Sequence, residues 1–128
     1  RRGAVVGENC RVGDFVEIKN SVVGKNTKIS HLACVGDAQI GENCNIGCGA
    51  VFCNYDGAEK HRTRVENNCF IGSNVNLVAP LNVGEGSYIA AGTTVAKDVP
   101  ARSFVIGRAR QELNETLARK YLGRGAKK

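Results

Sequence analysis

Histidine is the side chain best suited to moving a proton near neutral pH, and this sequence has two, His31 and His61. His61 stands between Lys60 and Arg62 in a polar stretch and reads as a solvent-exposed residue. His31 stands in an apolar run, Ile29-Ser-His-Leu-Ala-Cys34. Lys19 follows Ile18 and could hold a phosphate as a charged donor; without other cations beside it, it would be a solvated charge. The backbone N–H groups around Cys48, in Gly47-Cys-Gly49, could face an oxyanion. The same glycines could equally serve only a turn. The six cysteines form no Cys-x-x-Cys pair, and no activating base stands beside any of them. They read as small apolar thiols of a reduced protein rather than as a disulfide framework.

These residues are distributed on a repeat. Apolar residues recur every six positions at Val6, Val12 and Ile18, then at Val23, Ile29 and Val35, then at Ile40, Ile46 and Phe52. After a break over 53–64 they resume at Val65, Ile71, Leu77, Val83, Ile89 and Val95. The following residue is glycine at 7, 13, 24, 36, 41, 47, 72 and 84, and Lys19 occupies that slot once. Three positions after the apolar residue stand Asn9, Asn26, Asn43, Gly49, Asn68, Asn74, Gly86 and Gly92, residue types that tolerate positive φ. The slot after that is small or β-branched and includes Cys10, Cys44 and Cys69, which read as core fillers. Each hexad is thus a short strand and a turn, and three hexads close one coil of a parallel β-helix of about five coils. His31 falls on a turn position, where side chains face outward. A β-sandwich also has short strands, but it does not demand a period of six with glycine after each apolar residue.

Residues 53–64 break the repeat and are polar, so they form a projecting loop. The repeat ends after Val99-Pro100, and Leu113, Leu117 and Tyr121 or Leu122 have a helical period that predicts a short helix within 109–122, followed by a disordered end. The expected division is a β-helix over 1–107 and a basic tail over 108–128. The sequence does not begin with Met and enters its first coil without a capping element, which reads as a piece lacking earlier coils.

The 128 residues carry a formal charge of +6. Ten Lys or Arg balance ten Asp or Glu in residues 1–100, so the whole excess lies in residues 101–128. No basic patch is interleaved with aromatics, so nucleic acid is not an expected partner. No apolar run approaches the roughly 20 residues of a membrane span, and no signal peptide is visible.

The stretch Ile46-Gly-Cys-Gly-Ala-Val-Phe-Cys-Asn-Tyr-Asp-Gly57, together with Gly13-Asp-Phe-Val-Glu-Ile-Lys-Asn20, His31-Leu, Gly36-Asp-Ala38, Phe70-Ile-Gly-Ser73 and Ala90-Ala-Gly-Thr93, resembles one family. It is the C-terminal domain of the bifunctional N-acetylglucosamine-1-phosphate uridylyltransferases and glucosamine-1-phosphate acetyltransferases, the GlmU family. The resemblance runs from Arg1 to about Arg108. It implies a left-handed β-helix, the known exception to right-handed crossovers. It also implies acetyl transfer from acetyl-CoA to the amine of glucosamine 1-phosphate, in a cytoplasmic homotrimer with sites between subunits, for UDP-N-acetylglucosamine and cell-envelope synthesis. By position, His31 corresponds to the catalytic base and Glu17 to the carboxylate that orients it. Arg1, Lys19, Cys34, Asn45 and Lys60 fall on sugar-phosphate positions. Cys48, Asn54, Tyr55, Ser73, Ala91 and Arg108 fall on acetyl-CoA positions. Cys34 stands where the family usually has Tyr, Cys48 where it usually has Ala, and Arg2 where it usually has Pro. The uridylyltransferase domain is absent from the sequence. No metal is expected: carbonic anhydrases of hexapeptide fold hold zinc through three His, and this chain has two. The competing readings are another hexapeptide acyltransferase and a catalytically silent β-helix.

Overall fold

The computed structural model describes residues 2–123. Its strands are only two or three residues long, and each pairs in parallel with a strand one coil away. The first face holds β1 (Val5–Val6), β4 (Val22–Val23), β7 (Ala38–Ile40), β10 (Thr63–Val65) and β13 (Leu81–Val83). The second holds β2 (Arg11–Val12), β5 (Lys28–Ile29), β8 (Asn45–Ile46), β11 (Phe70–Ile71), β14 (Tyr88–Ile89) and β16 (Phe104–Val105). The third holds β3 (Glu17–Lys19), β6 (Cys34–Gly36), β9 (Val51–Cys53), β12 (Asn76–Val78) and β15 (Thr94–Val95). The result is an all-β left-handed parallel β-helix of five complete coils. Part of a sixth follows, because the solenoid does not stop at Val99-Pro100: Val99 bridges to Val83 and β16 extends the second face.

The apolar period fixes the register. Val6, Val23, Ile40, Val65 and Val83 stack on the first face, and Val12, Ile29, Ile46, Ile71 and Ile89 on the second. From the second coil on these side chains are buried, while Val6 and Val12 of the first coil stay exposed. Burying each Val or Ile contributes roughly 1.5–3 kcal/mol.

The corners explain the other slots. All eight Asn and Gly residues three places after the apolar position have positive φ, as their types predict. The glycines directly after the apolar residue do not; they are needed because coils approach closely there. A Cβ on Gly24 would lie 2.6 Å from the Gly41 carbonyl carbon, and one on Gly47 2.6 Å from Ser73 N.

Between the first and second faces, the small residues form a column of donors that tie one coil to the next. Cys10 Sγ donates to Gly24 O at 3.0 Å, Thr27 Oγ1 to Gly41 O at 2.7 Å, and Cys44 Sγ to Glu66 O at 3.1 Å. Cys69 Sγ donates to Gly84 O at 3.2 Å and Ser87 Oγ to Pro100 O at 3.1 Å. The cysteines are therefore hydrogen-bonded as well as packed. Contact with Cys69, together with burial, pushes the Cys44 thiol well above its ordinary range, which suits a permanent donor.

The C-terminal helix is shorter than the 109–122 window. It spans only Leu117–Leu122, and none of its residues is buried. Leu113, Leu117, Tyr121 and Leu122 all face solvent, so nothing stabilises further turns. Asn114 Oδ1 accepts from Thr116 N–H at 2.9 Å and Leu117 N–H at 2.8 Å, a local turn that competes with helix before residue 117. The expected disordered end lies outside the described residues, apart from Gly123.

Candidate active site

The corner between the second and third faces collects five of the sequence-predicted residues in one column. Along it, Leu32 N–H donates to Asp14 O, Gly49 N–H to His31 O, Asn74 N–H to Cys48 O, and Gly92 N–H to Ser73 O. Neighbouring coils are about 4.8 Å apart in such a ladder, so His31, Cys48, Ser73 and Ala91 follow one another along the edge. Arg108 closes the column, its Nη1 donating to Ala91 O at 2.7 Å.

The corner bonds leave one donor per coil unused. Gly47 N–H goes to Ile71 O at 2.8 Å and Gly49 N–H to His31 O at 3.2 Å. The N–H of Cys48 between them makes no hydrogen bond among the described residues, and the same holds for Ser73 and Ala91. All three residues are exposed. The two glycines thus serve the turn, and the N–H groups in the column remain open to a ligand.

His31 Nδ1 accepts from Asp14 N–H at 2.8 Å. A neutral ring in this position carries its proton on Nε2. His31 and Asn45 share a shallow cleft of about 360 Å³ with Arg11 and Lys28.

The third face carries a second, larger cleft of about 460 Å³. Glu17, Lys19, Cys34, Asn54, Tyr55 and Lys60 all line it, so it gathers most of the predicted sugar-phosphate and loop residues. Cys34 sits in register between Glu17 and Val51. Within the chain, then, the predicted residues fall into two groups on two faces. Arg1 lies outside the described residues.

The polar loop forms the rim of the second cleft. Strand β9 runs through Cys53 and β10 starts at Thr63, so the excursion itself is 54–62. Tyr55 and Lys60 form an antiparallel bridge, and Tyr55 OH donates to Gly57 O at 2.9 Å. Asp56 accepts from Glu59 N–H at 2.7 Å and Ala58 N–H at 2.8 Å, and pairs with His61 Nε2 at 2.8 Å. Those three donors, Glu59 N–H foremost, hold its carboxyl well below the usual carboxylate range. His61 is therefore half-buried and paired rather than a free surface residue; the sign of this in the sequence was the acid five residues upstream.

The sequence reading missed Asp37. It lies at the third corner, is 8% exposed, and accepts from Asn20 Nδ2 at 2.6 Å and Asn54 Nδ2 at 2.7 Å. The Asn20 bond, with the Asn54 bond and the charges of Lys60 and Arg62, keeps its pKa below the ordinary value despite burial. Among the described residues, no group of three or more His, Cys, Asp or Glu could hold a metal ion, and no helix is long and apolar enough to cross a membrane.

Known proteins resemble the chain in sequence and in fold. The family described as bacterial transferase hexapeptide (six repeats) matches residues 62–97. The bifunctional protein GlmU of Caldicellulosiruptor saccharolyticus is 55% identical over 115 residues, which is 90% of this chain and 25% of that protein. GlmU of Brevibacillus brevis is 49% identical over 127 residues, 99% of this chain and 28% of that protein. The chain spans about a quarter of the length of these relatives. Among solved structures, a hexapeptide-repeat acetyltransferase of Vibrio cholerae superposes with a TM-score of 0.74 at 21% identity, covering 88% of this chain and 75% of its own. Its complex with acetyl coenzyme A superposes with a TM-score of 0.73.

Proposed function

Starting from a hexapeptide-repeat β-helix that matches a quarter of the GlmU proteins at about half identity, we propose that this chain transfers the acetyl group of acetyl-CoA to the amine of glucosamine 1-phosphate. The observation that carries the proposal is the corner column: a histidine at one end, open N–H groups along it, and an arginine at the other. The extended CoA chain lies along that edge, with Ser73 and Ala91 meeting it through backbone and Arg108 near its phosphates. The thioester reaches Cys48 and His31.

His31 takes a proton from the sugar ammonium, and the freed nitrogen attacks the thioester carbon. The resulting oxyanion accepts a hydrogen bond from Cys48 N–H. Collapse breaks the C–S bond: the CoA thiolate leaves with the proton carried by His31, and the attacking nitrogen gives up its second proton to water, which leaves the neutral amide. Because Nδ1 is engaged by Asp14 N–H, the ring must release that bond and change tautomer before Nε2 can accept a proton. The Glu17 carboxylate supports the productive tautomer.

Lys19 and Lys60, with Arg1, hold the sugar phosphate, and Asn45, Asn54, Tyr55 and Cys34 border the acceptor. The split of these residues between two faces of one protomer supports a homotrimer, in which the His31 face of one subunit meets the Lys19 face of the next. The product would feed UDP-N-acetylglucosamine synthesis in the cytoplasm.

The test is thiol release from acetyl-CoA with glucosamine 1-phosphate, with serine and a nucleotide-linked amino sugar as competing acceptors. His31→Ala is expected to lower kcat by about 10²–10⁴-fold, the usual weight of a general base. Unchanged turnover in that variant would remove His31 from the mechanism, and preference for another acceptor would reassign the substrate.

A further inference from the structure

Asp37 holds four segments together. Its N–H donates to Lys19 O at 3.1 Å, its carboxylate accepts from Asn20 and Asn54, and its carbonyl accepts from Thr63 N–H at 3.2 Å. Asn54 is the first residue of the 54–62 loop, and Thr63 is the first residue after it. One residue therefore binds both ends of the loop, the entry through its side chain and the exit through its backbone. The Tyr55–Lys60 bridge carries that restraint outward to the cleft wall.

Two further features suit this role. Asp37 has a φ of 49°, a conformation that Asp tolerates, and this places its carboxylate under the loop rather than in solvent. Gly36 precedes it, and a Cβ there would come 2.8 Å from Asn54 Nδ2, so its glycine leaves room for the Asn54 amide. A buried carboxylate is costly unless its oxygens are satisfied. Here each oxygen has its own amide donor.

We propose that Asp37 is a positioning residue of the acceptor cleft, which anchors the 54–62 loop and so sets Asn54, Tyr55 and Lys60 in place. The anchoring stands on the geometry alone; its effect on the acceptor rests on the acetyl-transfer reading. Asp37→Asn keeps size and removes charge, but it turns one oxygen into an NH₂ group facing another amide donor.

The experiment reads trypsin cleavage after Lys60 and Arg62 in the folded protein, beside steady-state kinetics with glucosamine 1-phosphate. Asp37→Asn is expected to speed loop cleavage about tenfold, the scale of one buried hydrogen bond lost. KM for the sugar phosphate should rise by a similar factor while kcat changes less than about twofold. Gly36→Ala, which crowds Asn54 and leaves Asp37 intact, is expected to do the same and serves if the first variant folds poorly. Asn20→Ala removes the other carboxylate partner and should leave loop cleavage near the parental rate. Parental cleavage in both Asp37→Asn and Gly36→Ala overturns the proposal, as does an equal rise in Asn20→Ala. If the parent protein shows no turnover, the acetyl-transfer reading fails while the cleavage arm still decides the anchoring.

Discussion

A buried or multiply bonded carboxylate ties stability to pH. Asp37 and Asp56 both have pKa values below the ordinary carboxylate range, because amide and backbone donors favour their charged forms. A depressed pKa contributes stability above the unfolded value, near 3.9. That contribution is lost as pH falls through the folded value. The loop should therefore stay closed from neutral pH down to about pH 4 and loosen below it. Loop cleavage by pepsin, followed from pH 4.5 to 2, should accelerate in the parent and much less in Asp37→Asn, which has already lost the Asn54 bond. At this scale the sequence was partly legible. Lys19 stood out because it fills a glycine slot, His31 because it is a histidine at a turn, and Cys48 because it stands between two glycines. Asp37 did not, because an acid beside a turn glycine looks like a solvated corner, and its burial comes from a loop that closes over it.

The strands and corners were far more legible than the individual bonds. Every apolar position read from the six-residue period falls on a stacked column, because strands of two or three residues leave room for only one or two inward side chains each. Phe15 and Leu32, both with φ of 59°, could not be read as corner residues. The stack imposes the left-handed conformation even where the residue type disfavours it. The donor column was also hidden, since cysteine and threonine in a core slot look like fillers. Two buried threonines now give opposite expectations for one substitution. Thr27 Oγ1 donates to Gly41 O and accepts from Cys44 N–H at 3.1 Å. Thr63 Oγ1 is buried and has no partner among the described residues. Thr27→Val should destabilise by about 1–3 kcal/mol, whereas Thr63→Val should be neutral or stabilising. Thermal midpoints of the two variants, measured side by side, check the pair.

Across the molecule, each coil touches only its neighbours, so stability should fall towards the partial sixth coil. Ile46 and Ile71 are fully buried, while Val105 of the partial coil is only half-buried. In hydrogen exchange, the amides of Gly47 and Gly72, which bond across the middle coils, should be protected at least about tenfold more than those of Tyr88 and Ala90, which bond to the partial coil. Equal protection throughout would mean that the stack opens as one unit. The loop has a different standing in this stack. Val65 pairs with Ile40 on one side and Val83 on the other in the same parallel register, although 25 residues separate the first pair and 18 the second. The excursion leaves the cross-section unchanged above and below it. That corner is thus a natural grafting point: a lineage could exchange this segment for one of another length, and so reshape the rim of the third-face cleft, while inheriting the same column of core residues.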